Sequence, residues 1–296
     1  MSAVWIVVSA RMASSRYPGK AMVPLAGRPL LAVLLARMAA VRNVAGVVLA
    51  TSRNATNDPL VELAQDAGVP AFRGDEDDVL RRHLDCAHDR GAQHVVRVTG
   101  DNPLTDIETV ERLVDLHLEK DADYTYVAGD ALLMGILPEV ISTLALARSW
   151  ERGEARHRSE LMTLYIKEHP EQFRIALGAL PEGLYRPQYR LTVDEAEDVA
   201  LMQALFERLA APGKIVTTRE AAGLLWVENI DEIIIEGIVY DPKNGSVVIV
   251  NGSVLKEGED LGNVKVIHIK PEGATLSVNG VEGFKTLYQE EVKKQN

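Results

Sequence analysis

A chain of 296 residues with 47% hydrophobic and 25% charged side chains is composed like a soluble globular protein that buries one large core or two unequal ones. Its net charge of −11 argues against general nucleic-acid binding, and its single cysteine, Cys86, excludes an intrachain disulfide framework. No apolar run reaches the roughly 18–20 residues of a membrane span, and the start lacks the basic region of a secretory signal, so the cytoplasm is the expected compartment.

Residues 4–8 read as a buried strand. The segment after them, residues 9–20, is rich in small residues and carries Arg11, Arg16 and Lys20 beside Pro18 and Gly19. Helix 29–41 opens on proline, strand 44–50 follows, and helix 59–67 stops at Gly68. Then come a short strand at 70–73, helix 77–90 stopped by Gly91, strand 94–99 and helix 105–120. Such βαβα order predicts an α/β fold, a doubly wound, mainly parallel sheet with helices on both faces. Ligands of such sheets sit outside the carboxyl ends of the strands. The loop at 9–20, the turn at Thr51 and Ser52 and the turn at 100–103 all fall there, so they are expected to share one cleft.

Composition breaks near residue 226. Residues 1–225 hold 21 Arg and 4 Lys, whereas 226–296 hold 7 Lys and no Arg. After Leu225 the only alanine is Ala274, and five isoleucines crowd residues 230–238. We read a domain boundary, with a nucleotide-binding domain at 1–225 and a small all-β domain at 226–296; a natural or engineered fusion is one reading of the break. Runs at 233–240, 246–250, 264–269 and 275–278, punctuated by Asn-Gly and Pro-Glu-Gly turns, predict a meander or barrel of about five strands. His268 is expected to face solvent there. Cys86 reads as a buried small hydrophobe.

Three polar elements carry chemistry. In loop 9–20, Arg11, Arg16 and Lys20 suit a polyphosphate, and Ser14 and Ser15 add donors; a solvated basic loop is the other reading. Asp101, just past strand 94–99, is a hard oxygen ligand suited to Mg²⁺ bridging to phosphate; a turn or helix N-cap explains it as well. Asp194, before helix 196–209, either caps that helix or faces the cleft as a second Mg²⁺ carboxylate.

Four blocks in order resemble the bacterial cytidylyltransferases: RMASSRYPGKAMVPLAGRPLL, ATSRNATNDPLVELAQDAGVPAFRGDEDDVL, VVRVTGDNPLTD and YRLTVDEAEDVALM. The similarity spans residues 4–225; that family includes the CMP-Kdo and CMP-sialate synthetases, and the chain resembles its spore-coat-polysaccharide, acylneuraminate cytidylyltransferase-like branch. The resemblance implies a glycosyltransferase-A-like fold and attack of a sugar hydroxyl on the α-phosphate of CTP, giving a CMP-sugar and pyrophosphate. It implies Arg11 and Lys20 on the triphosphate, Ser14 and Arg16 in the same loop, and Asp101 and Asp194 on Mg²⁺. Arg73 and the acids after it are implied at the cleft edge.

The departure from the family lies at 129–160: where relatives carry an acid-rich strand that helps shape the acceptor site, residues 134–140 have Glu139 as their one charged group. His157, between Arg156 and Arg158, reads either an anionic sugar, a neighbouring subunit or only solvent. The resemblance implies a homodimer. Residues 226–296 resemble instead the small β domain of secretion- and pilus-assembly accessory proteins, which implies a protein-interaction or oligomerisation module. Two alternatives stay open for the whole: another nucleoside triphosphate in place of CTP, or a degenerate nucleotide-binding platform for the β module.

Overall fold

The computed structural model describes residues 3–14, 16–128, 135–181, 184, 190–225, 233–243, 245–250, 253–278 and 280–287. Ser15 lies outside the described residues. Two compact units divide the chain, Met1–Thr218 and Arg219–Asn296.

The first unit begins with β1 (Val4–Ser9), the short pair β2 (Pro24–Leu25) and β3 (Arg28–Pro29), and α1 (Leu30–Met38). β4 (Gly46–Ser52), α2 (Asp58–Asp66), β5 (Ala71–Gly74), α3 (Val79–Asp89), β6 (His94–Thr99) and α4 (Ile107–Glu119) continue the alternation. After them come β7 (Tyr124–Val127), β8 (Glu139–Ser142), α5 (Thr143–Arg152), α6 (Leu164–Glu168), β9 (Ile175–Gly178) and α7 (Ala196–Leu209), and α8 (Thr218–Leu225) starts at the boundary and runs into the second unit, which begins at residue 219 rather than at the expected 226. Seven strands form one sheet in the order β5-β4-β1-β6-β8-β7-β9. β5, β4, β1 and β6 run parallel, and β8 runs antiparallel to both its neighbours.

β1 is central because its side chains are apolar on both faces. Val7 packs with the α3 and α5 residues Leu80, Leu84, Ala145 and Leu146. Successive side chains of a strand alternate faces, so Ile6 and Val8, both fully buried, belong to the opposite layer. A strand buried on both sides is what an interior position in a parallel sheet demands. Arg37 on α1 ties the far end of the unit together, donating to the carbonyls of Thr105 (2.6 Å) and Val216 and to Thr218 Oγ1 (2.7 Å). Cys86 is buried, and burial pushes its thiol up to about 12.

The second unit holds seven strands among its described residues. β10 (Ile235–Val239), β11 (Val247–Val250) and β12 (Ser253–Lys256) form one antiparallel sheet; β13 (Asp260–Leu261), β14 (Val264–Lys270), β15 (Gly273–Val278) and β16 (Val281–Thr286) form another. Their inner residues, including Ile235, Val248, Val250, Val266, Leu276 and Val278, build one core. His268 faces solvent beside Glu257.

Candidate active site

The segment after β1 folds back on itself. Gly19 takes φ 76°, the left-handed region that glycine enters without a side-chain penalty, and its N–H donates to the Met12 carbonyl (2.9 Å). Met12 N–H donates to Asn57 Oδ1 (2.8 Å), and buried Asn57 donates to Ser52 Oγ (2.7 Å), which is bonded to Glu76. The carboxyl ends of β1 and β4 are thereby tied, and a short 3₁₀ turn, Lys20–Met22, projects Lys20.

Lys20 Nζ lies 2.6 Å from Asp101 Oδ2 and 2.9 Å from Asp194 Oδ1. Asp101 follows Gly100, where a Cβ would lie 2.6 Å from Ala10 Cβ and 2.8 Å from the Ser9 carbonyl oxygen. Only glycine lets the ends of β6 and β1 approach so closely. The Asp101 carbonyl accepts from Val193 N–H (2.9 Å), which brings the segment before α7 alongside. The capping duties fall elsewhere. Asp106 caps α4 through Thr109 N–H (2.8 Å), and Glu195 with Asp198 forms a capping box on α7. Neither Asp101 nor Asp194 is therefore spent on a helix cap. Asp194 also meets Arg16 (2.8 Å) and Arg190 (2.7 Å). Burial alone would raise its pKa, but Lys20, Arg16 and Arg190 hold it below the usual carboxylate range.

A cleft of about 540 Å³ is lined by Ser14, Arg16, Lys20, Arg82, Arg97 and Asp101 among others, and Asp194 is tied to it through Lys20 and Arg16. Arg11 lines it too, donating to the Glu76 carbonyl (3.1 Å) and pairing with Glu160 (2.8 Å). Ser14 Oγ stands 3.4 Å from Tyr17 N. A second cavity of about 260 Å³ adjoins, lined by Arg97, Thr99, Asn102, Tyr126, Val127, Leu137, Pro138, Glu139 and Lys167.

Two sequence expectations, at Arg73 and His157, need correction. Arg73 lines neither cavity: its guanidinium donates to the carbonyls of Ser52 (3.2 Å) and Asn54 (2.8 Å) and to Asp58 (2.6 Å), which fixes the turn after β4. His157 is neither surface residue nor cleft residue. It is 2% exposed, accepts from Glu154 N–H (2.8 Å) through Nδ1 and meets Glu168 (2.9 Å) through Nε2, so it braces the turn before α6. Glu139 does line the second cavity, yet its oxygens are already taken. Oε2 pairs with Arg97 (2.6 Å), while Oε1 accepts from Lys167 (2.9 Å), Thr163 (3.2 Å) and Tyr124. Burial alone would raise its pKa; Arg97 and Lys167 outweigh this and hold it at about 2.

The acidic run after β5 divides its labour. Asp75 accepts from Asp77 and Asp78 N–H, Asp78 caps α3, and Glu76 reaches back to Ser52 and Arg11.

Sequence reasoning missed Arg82, His83 and Arg97 at the cleft. Arg82, 1% exposed, donates to the Asp75 carbonyl (2.7 Å) and sits 3.4 Å from Ser9 Oγ. His83 is fully buried with Nδ1 on the Val79 carbonyl (2.8 Å), and burial pushes its pKa down to about 3. Arg97 completes the set, and Asn57 supports the loop from behind through Met12 N–H and Ser52 Oγ. An arginine inside an otherwise apolar strand, Val95 to Val98, was the available signal for Arg97.

A cytidylyltransferase family model matches residues 5–218. SpsF, a spore coat polysaccharide biosynthesis protein of Bacillus subtilis, is 34% identical over 216 residues, 70% of this chain and 88% of SpsF. An uncharacterized protein of Methanocaldococcus jannaschii is 33% identical over 195 residues, 66% of this chain and 79% of its own length. A cytidylyltransferase from Leptospira borgpetersenii superposes with a TM-score of 0.67 at 27% identity, over 71% of this chain and 89% of that one. The structure of a CMP-2-keto-3-deoxy-manno-octonic acid synthetase complexed with CTP shares the fold, with a TM-score of 0.55 at 18% identity over 70% and 99%. The mainly parallel sheet, the basic loop and the two aspartates at its carboxyl edge thus accompany a sequence match over most of the chain, which belongs to the cytidylyltransferase family and is a nucleotidyltransferase.

Proposed function

We propose that this protein transfers CMP from CTP to the hydroxyl of a sugar or sugar-like acid in the building of a surface polysaccharide or glycoconjugate. The observation that carries the reading is Lys20 held between Asp101 and Asp194 at the mouth of the larger cleft. The similarity to SpsF, a spore coat polysaccharide biosynthesis protein, supports the biosynthetic setting.

The donor set suits Mg²⁺, since two carboxylates already converge on one cationic centre and hard divalent ions complete their shells with phosphate oxygens. Asp101 and Asp194 would hold the ion, which when bound neutralises charge on the triphosphate. Arg11, Arg16 and Lys20 bind the β- and γ-phosphates, and Ser14 donates to them. In the reaction the acceptor oxygen bonds to the α-phosphorus, the bond from that phosphorus to pyrophosphate breaks, and the hydroxyl proton passes to solvent. Phosphoryl chemistry of this kind depends mainly on positioning and charge stabilisation, and the basic loop supplies both. Residues 226–296 serve as an interaction module, and a homodimer in the cytoplasm completes the reading. No described helix is long and apolar enough to cross a membrane.

The test is a thermal-shift ranking of CTP, UTP, GTP and ATP with and without Mg²⁺, followed by pyrophosphate release over a panel of sugar acids. CTP with Mg²⁺ is expected to give the largest shift, and Asp101→Ala to abolish pyrophosphate release. A clear preference for UTP would replace the nucleotide. CTP binding without turnover on any acceptor would favour a degenerate platform.

A further inference from the structure

The larger cleft and the second cavity share two lining residues, Arg97 and Thr99. Of the cations around them, Lys20, Arg11, Arg16 and Arg82 line the larger one and Lys167 the smaller; Arg97 lines both. Its position follows from strand pairing. β8 runs antiparallel to β6 in a register that sets Arg97 opposite Glu139, and cross-strand partners share a face. Arg97 Nη1 donates to Glu139 Oε2 (2.6 Å), and Nη2 donates to the Glu160 carbonyl (2.9 Å). The Glu160 carboxylate takes Arg11 (2.8 Å), so one residue links the two arginines. Glu139 is shared between Arg97 and Lys167: two cations face one carboxylate, and positive charge is left over for a ligand.

In nucleotidyl transfer the α-phosphate lies between the leaving pyrophosphate and the incoming hydroxyl. The basic loop claims the pyrophosphate side. The group that borders both cavities is the one in place for the phosphate in between. We propose that Arg97 is the ligand of the α-phosphate and that Glu139, behind it, is the positioning residue that holds the guanidinium at the junction. The second cavity then delivers the acceptor to that junction. This inference rests on the nucleotidyl-transfer reading above, and it adds a site residue while recasting Glu139 as a support for arginine.

Titration calorimetry of the full chain with cytidine, CMP and CTP tests it without knowledge of the acceptor, because CMP carries the α-phosphate alone. Arg97→Met is expected to weaken CMP roughly 10- to 100-fold, as for a lost charge-assisted bond, and to leave cytidine within about twofold. Glu139→Gln is expected to weaken CMP less and to add nothing in the Arg97→Met background, the non-additivity of one residue acting through another. Melting curves check folding, and Arg97→Lys carries the same comparison if the methionine variant does not fold. Unchanged CMP affinity, or equal losses for CMP and cytidine, would overturn the assignment. Should the wild type prefer UMP, the cytidylyl reading fails and Arg97 is judged on UMP against uridine. A wild type that binds CTP but neither monophosphate leaves nucleotide binding intact and sinks the α-phosphate role.

Discussion

Lys20 holds two carboxylates that would otherwise repel each other. Asp194 is largely buried, with 9% of its side chain exposed, and Asp101 retains 23%. Removing one partner of a buried pair leaves uncompensated charge, which costs more than the pair itself contributes. Lys20→Met is therefore expected to lower the melting temperature without divalent ions and to recover part of the loss when Mg²⁺ is added, alongside a fall of about 10²-fold or more in pyrophosphate release. A melting temperature equal to wild type without metal would refute this account of Lys20. The corrections at Arg73 and His157 belong to the same scale. Both side chains spend their polar atoms on neighbouring turns, and a polar residue near a motif is recruited to backbone carbonyls as readily as to a ligand.

The strand ends decide where the motifs meet. Ser9 pairs with Thr99 in the β1–β6 register, and Gly100 then passes against Ser9 and Ala10. Gly100→Ala sets a methyl group within 2.6 Å of Ala10 Cβ, and the two strand ends must part to admit it. Overpacking of this kind costs about 1–3 kcal/mol. Since Asp101 is the next residue, activity is expected to fall further than stability, read by urea midpoint and pyrophosphate release on the same variant. The β6–β8 pair shows what a register contributes: nothing in the sequence spacing of Arg97 and Glu139 makes them neighbours, but an antiparallel ladder does.

Across the whole molecule, three histidines have lowered pKa values through burial: His83 at about 3, His117 at about 4 and His94 in the same direction. His94 and His117 also contact each other, ring nitrogen to ring nitrogen at 3.0 Å. In the unfolded chain each regains an ordinary value near 6.5. The unfolded state then binds more protons below that pH, so stability is complete above about 6.5 and lost as pH falls toward the folded values. Each histidine contributes a slope of about 1.4 kcal/mol per pH unit in that window. Denaturation midpoints measured from pH 7 to pH 5 are expected to fall, and His117→Gln to flatten the decline. The carboxylates of Asp194 and Glu139 add their own loss only at lower pH.

The strand–helix alternation, the mainly parallel sheet and the β-rich tail were legible in the chain because burial on one face or both leaves a period in the residues themselves. Loop 9–20 and Asp101 were legible as candidates for the same reason that they cluster: each follows a strand at its carboxyl end, whereas Asp194 stands in an irregular segment that Val193 N–H ties to the Asp101 carbonyl. Their choice between capping and cleft was not, since it turned on whether Asp106 and Asp198 took the caps. Arg97 beside Glu139, Arg82 against Ser9 and buried His157 belong to tertiary structure alone. Each depends on contacts between residues distant in sequence, and only the folded chain decides which polar atoms are satisfied by backbone and which are left for a ligand.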